Sequence, residues 1–140
     1  MNSLDSAAQF ILYGSGVYHL IGGITSIGPA SWIRYFSEKT YKLDLPEKFS
    51  PEYHICVRAV GKFALFTSAI SFYTAAFEDS KTKSAILLIL AAMFLARAIL
   101  RVAQRDLLLE AYKLEFKRSL YNVVFNVLLT MFTVYIALNV

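Results

Sequence analysis

The sequence predicts an all-α, polytopic membrane protein: one domain, residues 1–140, of four transmembrane helices in an antiparallel bundle, with both termini on the non-cytoplasmic side. Three observations carry that prediction. Hydrophobic residues make up 57% of the 140-residue chain, against about 45 to 50% in soluble domains. The charged residues gather around positions 34–52, 78–83 and 101–118, and the intervals they leave are long enough to cross a bilayer, which takes about 20 apolar residues at about 1.5 Å each. Nothing in those intervals alternates with a period of two, so the backbone must satisfy its own hydrogen bonds as helices instead of as a closed barrel.

The first span runs from about Ala8 to Gly28 and contains no charged residue. It lacks the basic leader of a signal peptide and reads as an anchor. Gly28-Pro29 ends it, since proline disfavours helical geometry in the residue before it, and Trp32, Tyr35 and Phe36 follow where an interfacial aromatic belt belongs. A mixed-charge loop leads to Ser50-Pro51-Glu52, a helix start with serine as cap and proline in the first turn. The second span covers about His54 to Phe77, with Arg58 and Lys62 in its first turns, and the third covers Ser84 to Gln104. Between them Ser80 or Thr82 is the expected cap. Residues 106–116 extend the third helix or lie along the membrane surface, and the fourth span runs from Ser119 to Asn139. After Gly61 there is neither glycine nor proline, so every later turn must rely on capping.

Orientation follows from Lys and Arg near the span ends. Arg34, Lys39, Lys42 and Lys48 lie in the first connection and Arg105, Lys113, Lys117 and Arg118 in the third, against only Lys81 and Lys83 in the second. This bias places the first and third connections in the cytoplasm or its organellar equivalent. The expected location is a bacterial inner membrane or an organellar membrane. A net charge of +4 then describes a membrane-facing surface, and no nucleic-acid partner is expected.

Each span carries a polar stripe at helical spacing: Tyr13 and His19 on the first, His54, Arg58 and Lys62 on the second, Arg97 and Arg101 on the third, Asn122 and Asn126 on the fourth. Arg97 stands well inside its span, where an unsolvated guanidinium costs about 2 kcal/mol or more. All 10 acidic residues lie outside the apolar spans or at their edges, so no carboxylate within the bilayer can pair with it. The expected site is therefore a cytoplasmic-side basic pocket of His54, Arg58, Lys62, Arg97, Arg101, Asn122 and Asn126. It would bind an anionic lipid or other anion, because a guanidinium holds phosphate with two hydrogen bonds. The competing expectation is that these long side chains snorkel to the headgroups and only anchor their helices. Tyr13 and His19 form a second candidate polar site near the midplane, with His19 read first as a packed core histidine. Cys56, the single cysteine, reads as inert.

No nucleophile elbow, metalloprotease motif or P-loop occurs, and no metal site is expected. A proton-coupled exporter would need an acidic residue inside a span, which is missing. The leading expectation is thus a non-enzymatic membrane protein without catalytic residues or a cofactor, in which a bound phospholipid or quinone would fill the pocket. The alternatives are a supernumerary packing subunit of a larger, respiratory-type membrane complex, a homo-oligomer, a small-solute transporter, or a lipid- or quinone-linked enzyme using His19 or Tyr13. Arg58-Ala59-Val60-Gly61 at the start of the second span, the Gly28-Pro29 break and Ala96-Arg97 late in the third together resemble the DoxX-like and related families of small bacterial four-helix membrane proteins. The resemblance implies a four-helix bundle and, for some relatives, an association with quinone-linked oxidoreductases.

Overall fold

The computed structural model describes residues 3–41, 43–46 and 48–140. Met1, Asn2, Lys42 and Glu47 lie outside the described residues, as do the side chains of Tyr41 and Arg118. All regular structure among the described residues is helical: α1 (Ser3–Ile27), α2 (Ala30–Phe36) continuing into a π turn (Ser37–Tyr41), α3 (Pro51–Phe77), α4 (Ser80–Ala103), α5 (Arg105–Tyr112) and α6 (Phe116–Asn139). Four of them, α1, α3, α4 and α6, are long and apolar enough to span a membrane. Each starts a turn or so before the predicted span. Polar first turns such as Ser3-Leu4-Asp5 continue a helix into the interface without marking themselves by hydropathy.

The ends follow local chemistry. Gly28 N–H donates to the Ile24 carbonyl at 3.0 Å as α1 closes, and proline then turns the chain. Ser50 caps α3 by accepting from Tyr53 N–H at 3.2 Å, with Pro51 in the first turn as expected. The cap of α4 is neither Ser80 nor Thr82: Asp79 accepts the Thr82 N–H at 2.8 Å. Its charged carboxylate is the stronger acceptor beside the unpaired N–H groups of a first turn. α4 breaks at Gln104 before α5 begins, so the stretch read as residues 106–116 is a separate short helix, Arg105–Tyr112, followed by a turn into α6, in place of an unbroken extension. Without a glycine to end α5, Lys113 takes the left-handed conformation itself, at φ 52°.

The spans pair closely as α1 with α3 and α4 with α6. Gln9 donates to the Ala75 carbonyl and Ser68 to the Gly16 carbonyl, so α1 and α3 run in opposite directions. Ser84 donates to Ala137 and Thr130 to Ala91, and α4 and α6 do the same. Glycines set the first of these contacts. A Cβ on Gly23 would come within 2.6 Å of Leu65 and one on Gly61 within 2.8 Å of Ser26, so only hydrogen fits where the backbones meet.

The two pairs join at one end. Ala8, Ile11 and Leu12 of α1, Ala75 of α3, Leu87, Leu90 and Phe94 of α4, and Ile136 and Ala137 of α6 form one buried cluster. Beside it Lys83 binds Asp5 at 2.9 Å. Away from that end, cavities open between the pairs.

Candidate functional site

α4 carries Arg97 and Arg101 one turn apart, and what faces them depends on α1 and α6. The Lys83–Asp5 and Arg97–His19 contacts each join residues 78 apart in sequence. A constant offset means that α1 and α4 run in the same direction in register, tied at two points about 21 Å apart. The second tie is the centre of the site. An Arg97 Nη donates to His19 Nε2 at 3.0 Å, and the guanidinium lies over the Tyr18 ring, 5.3 Å from its centroid. His19 Nδ1 is 2.8 Å from the Ser15 carbonyl and 3.2 Å from the Ser15 hydroxyl. A carbonyl only accepts and a guanidinium only donates, so the proton sits on Nδ1 and Nε2 offers its lone pair to Arg97.

The sequence leaves Arg97 without a carboxylate inside the spans and points to an outside anion or the headgroups; within the fold it meets a neutral imidazole. Among the described residues no carboxylate lies within ion-pair distance of Arg97. The charge is therefore solvated on one side by an uncharged acceptor and an aromatic face, and its other N–H groups remain available toward a cleft.

That cleft, of about 720 Å³, lies between the two pairs. Arg97, Arg101 and Gln104 of α4 and Asn122 and Asn126 of α6 supply its polar lining, with Thr40 and Leu108 where the connections fold over it. Its walls are apolar: Phe10 and Ile11 of α1, Phe94 and Leu100 of α4, Phe125, Leu129 and Phe132 of α6. Because Ser84 faces Ala137 and Ala91 faces Thr130, Phe132 comes level with Ile89. From that level to Gln104 is about 22 Å of helix. The cleft is thus a long apolar slot with guanidinium groups toward one end.

Four of the seven predicted pocket residues meet here, Arg97, Arg101, Asn122 and Asn126. The other three do not. Gly61 packs against Ser26 and Ile27, so Arg58, three residues earlier on an antiparallel helix, falls beyond the end of α1 and is exposed. Lys62 lies about 100° around the helix from Gly61 and is exposed too. His54 stacks edge-on against Phe49 at 5.5 Å, with a buried Nδ1 that has no hydrogen-bond partner among the described residues. Tyr13 is half-exposed and tilted against Phe72, so it does not join His19 in a midplane pair. Asn126 spends its amide on its own helix, donating to the Asn122 carbonyl at 2.7 Å. Bonds between helices come instead from Gln9, Ser68, Ser84, Thr130, Lys83 and Arg97.

Tyr18 and the four phenylalanines of the walls were not among the predicted site residues; no local pattern marks them, and they are found only once the packing register of the spans is known. Arg34 of the first connection turns inward, donating to the Leu45 carbonyl at 3.1 Å and lying over Phe49, so it organises the loop. Among the described residues no three His, Cys, Asp or Glu side chains gather as a metal site would require. By length and composition, the four long apolar helices are compatible with a multi-pass helical membrane protein. Neither protein-family models, nor curated proteins, nor solved structures gave a match to it.

Proposed function

We propose that this protein holds an anionic phospholipid in the cleft between its helix pairs, with the phosphate at Arg97 and Arg101 and an acyl chain along Phe94, Phe125 and Phe132. One observation carries this reading: Arg97 is half-buried, bonded to a neutral imidazole, and lines a slot that is polar around Arg97, Arg101, Asn122 and Asn126 and walled by phenylalanine and leucine. A small hydrophilic anion would satisfy the arginines but leave the aromatic walls wet. A wholly apolar molecule would leave the guanidinium unmatched. The Lys and Arg bias places the arginine end toward the cytoplasm, with the Lys83–Asp5 end and both termini on the far side. Arg58 and Lys62 are anchors that reach the headgroups from the outer face of α3.

Native mass spectrometry of protein released from nanodiscs containing phosphatidylglycerol tests the cleft. Arg97→Ala removes charge-assisted bonds, so lipid retention falls about 10- to 100-fold, whereas Arg58→Ala retains lipid as the wild type does. Equal loss in both variants, or in neither, overturns the cleft. Retention of a quinone that is insensitive to Arg97→Ala would support instead the association implied by the DoxX-like resemblance. Glycerol phosphate added as a competitor separates the two sources of phosphate, and displacement by it would point to a soluble ligand.

A second reading, a packing subunit of a larger membrane complex, draws on α5. Leu107 and Leu109 are exposed there, outside the four spans. Recovery in mild detergent only as a lone monomer or homodimer would count against it.

A further inference from the structure

His19 is 4% exposed, and its two nitrogens have opposite duties. Nδ1–H donates to the Ser15 carbonyl and Nε2 accepts from Arg97. A doubly protonated ring could not keep this arrangement, because an N–H would point at an N–H and two cations would stand 3.0 Å apart. Arg97 also has a second place to go. It lines both the large cleft and a smaller cavity of about 330 Å³ that His19 shares with α3. The guanidinium can thus be matched by the imidazole lone pair or by an anion in the cleft.

We infer that His19 is a proton site linked to the anion site, so that an anionic lipid and one proton bind together. The bound phosphate draws Arg97 off Nε2, and the freed lone pair takes one proton from water, leaving an imidazolium with both nitrogens donating. The charges balance, since the added proton offsets the single negative charge of a phosphate diester. This inference rests on the cleft reading above. It puts a proton site on a histidine beside the cleft. The titratable groups around His19 among the described residues are Arg97 of α4, Tyr18 of α1, and Tyr53 and Cys56 of α3, while α2 and the π turn contribute Ile33, Phe36 and Ser37. Of these, histidine is the residue type whose charge ordinarily changes between about pH 5 and 8. By linkage the lipid must then bind more tightly as pH falls through that range.

The test uses the full chain and short-chain phosphatidylglycerol, a diester whose own charge is constant across this range. Kd is measured at about pH 5.5 and about pH 7.5. The wild type is expected to bind about tenfold more tightly at the lower pH. In His19→Gln, whose amide oxygen can still accept from Arg97 but does not titrate, the ratio is expected to fall to near one. An unchanged ratio in His19→Gln, or no pH dependence in the wild type, overturns the inference. Proton uptake read by a dye in weak buffer gives the same answer without a variant: uptake on lipid addition supports it and none overturns it. Binding lost in Arg97→Ala beside a flat wild-type profile defeats this inference alone. Binding unaffected by Arg97→Ala defeats the cleft reading and this inference together.

Discussion

Thr133 is fully buried in α6, and its hydroxyl has no hydrogen-bond partner among the described residues. A buried hydroxyl without a partner carries its desolvation cost uncompensated, and valine has nearly the same shape. Thr133→Val should therefore stabilise the protein by about 1 kcal/mol, seen as a raised melting temperature in detergent. A lowered one would mean that something bridges the hydroxyl. Lys83 is the opposite case, 9% exposed in its side chain and 2.9 Å from Asp5. Lys83→Ala strands a carboxylate between the pairs and should cost about 1 to 3 kcal/mol, between surface and buried pairs. At this scale the sequence was a partial guide. Arg97 announced itself as a charge inside an apolar run, but its partner His19 lies two spans away, and no local period encodes such a distance. The sequence predicts that Arg58 and Lys62 converge on Arg97, but Arg58 falls beyond the end of α1 while Arg97 is level with His19, and both Arg58 and Lys62 are exposed. A span is legible from hydropathy, whereas the level and facing of one side chain require the packing register.

Among the elements, α1 and α3 depend on missing side chains. Gly61→Ala places a methyl 2.8 Å from Ser26 Cβ and 3.1 Å from the Gly23 carbonyl, and backbone cannot move aside cheaply. It should destabilise by about 1 to 3 kcal/mol, whereas Gly14→Ala, which meets nothing within 4 Å, should be neutral or gain up to about 1 kcal/mol from helix propensity. Melting both variants in the same detergent checks the contrast, and equal effects would argue against close backbone contact. Asp79 makes the α3–α4 turn sensitive to acid. The Thr82 N–H bonded to its carboxylate holds its pKa below the ordinary value, so the cap contributes fully above the ordinary carboxylate range. That contribution is lost as pH falls through the lower, folded-state value. Asp79→Ala should thus lower the melting temperature at neutral pH, and its difference from the wild type should shrink below about pH 4. The spans themselves were legible because apolar length is a direct readout of bilayer thickness. The break at Gln104 was not, since no proline or glycine marks it.

Over the whole molecule, the joined end and the open end divide the labour. All four spans contribute to the buried cluster, while the cleft lies between pairs whose mutual contact is narrow. Spin labels placed across the cleft should therefore report a broader distance distribution than labels across the Lys83–Asp5 end, and added lipid should narrow only the former. Equal widths would argue against a yielding cleft. The four-helix bundle was legible from the spacing of the spans. Its lopsided closure was not, because it depends on which side chains from distant helices meet. The cluster also has a history built into it. Its α1 members leave the ribosome early and its α6 members, Ile136 and Ala137, leave late. The first hairpin must therefore wait for α6 with half its seam uncovered, and a nascent chain stalled before Ile136 should be cut by added protease faster than the full chain.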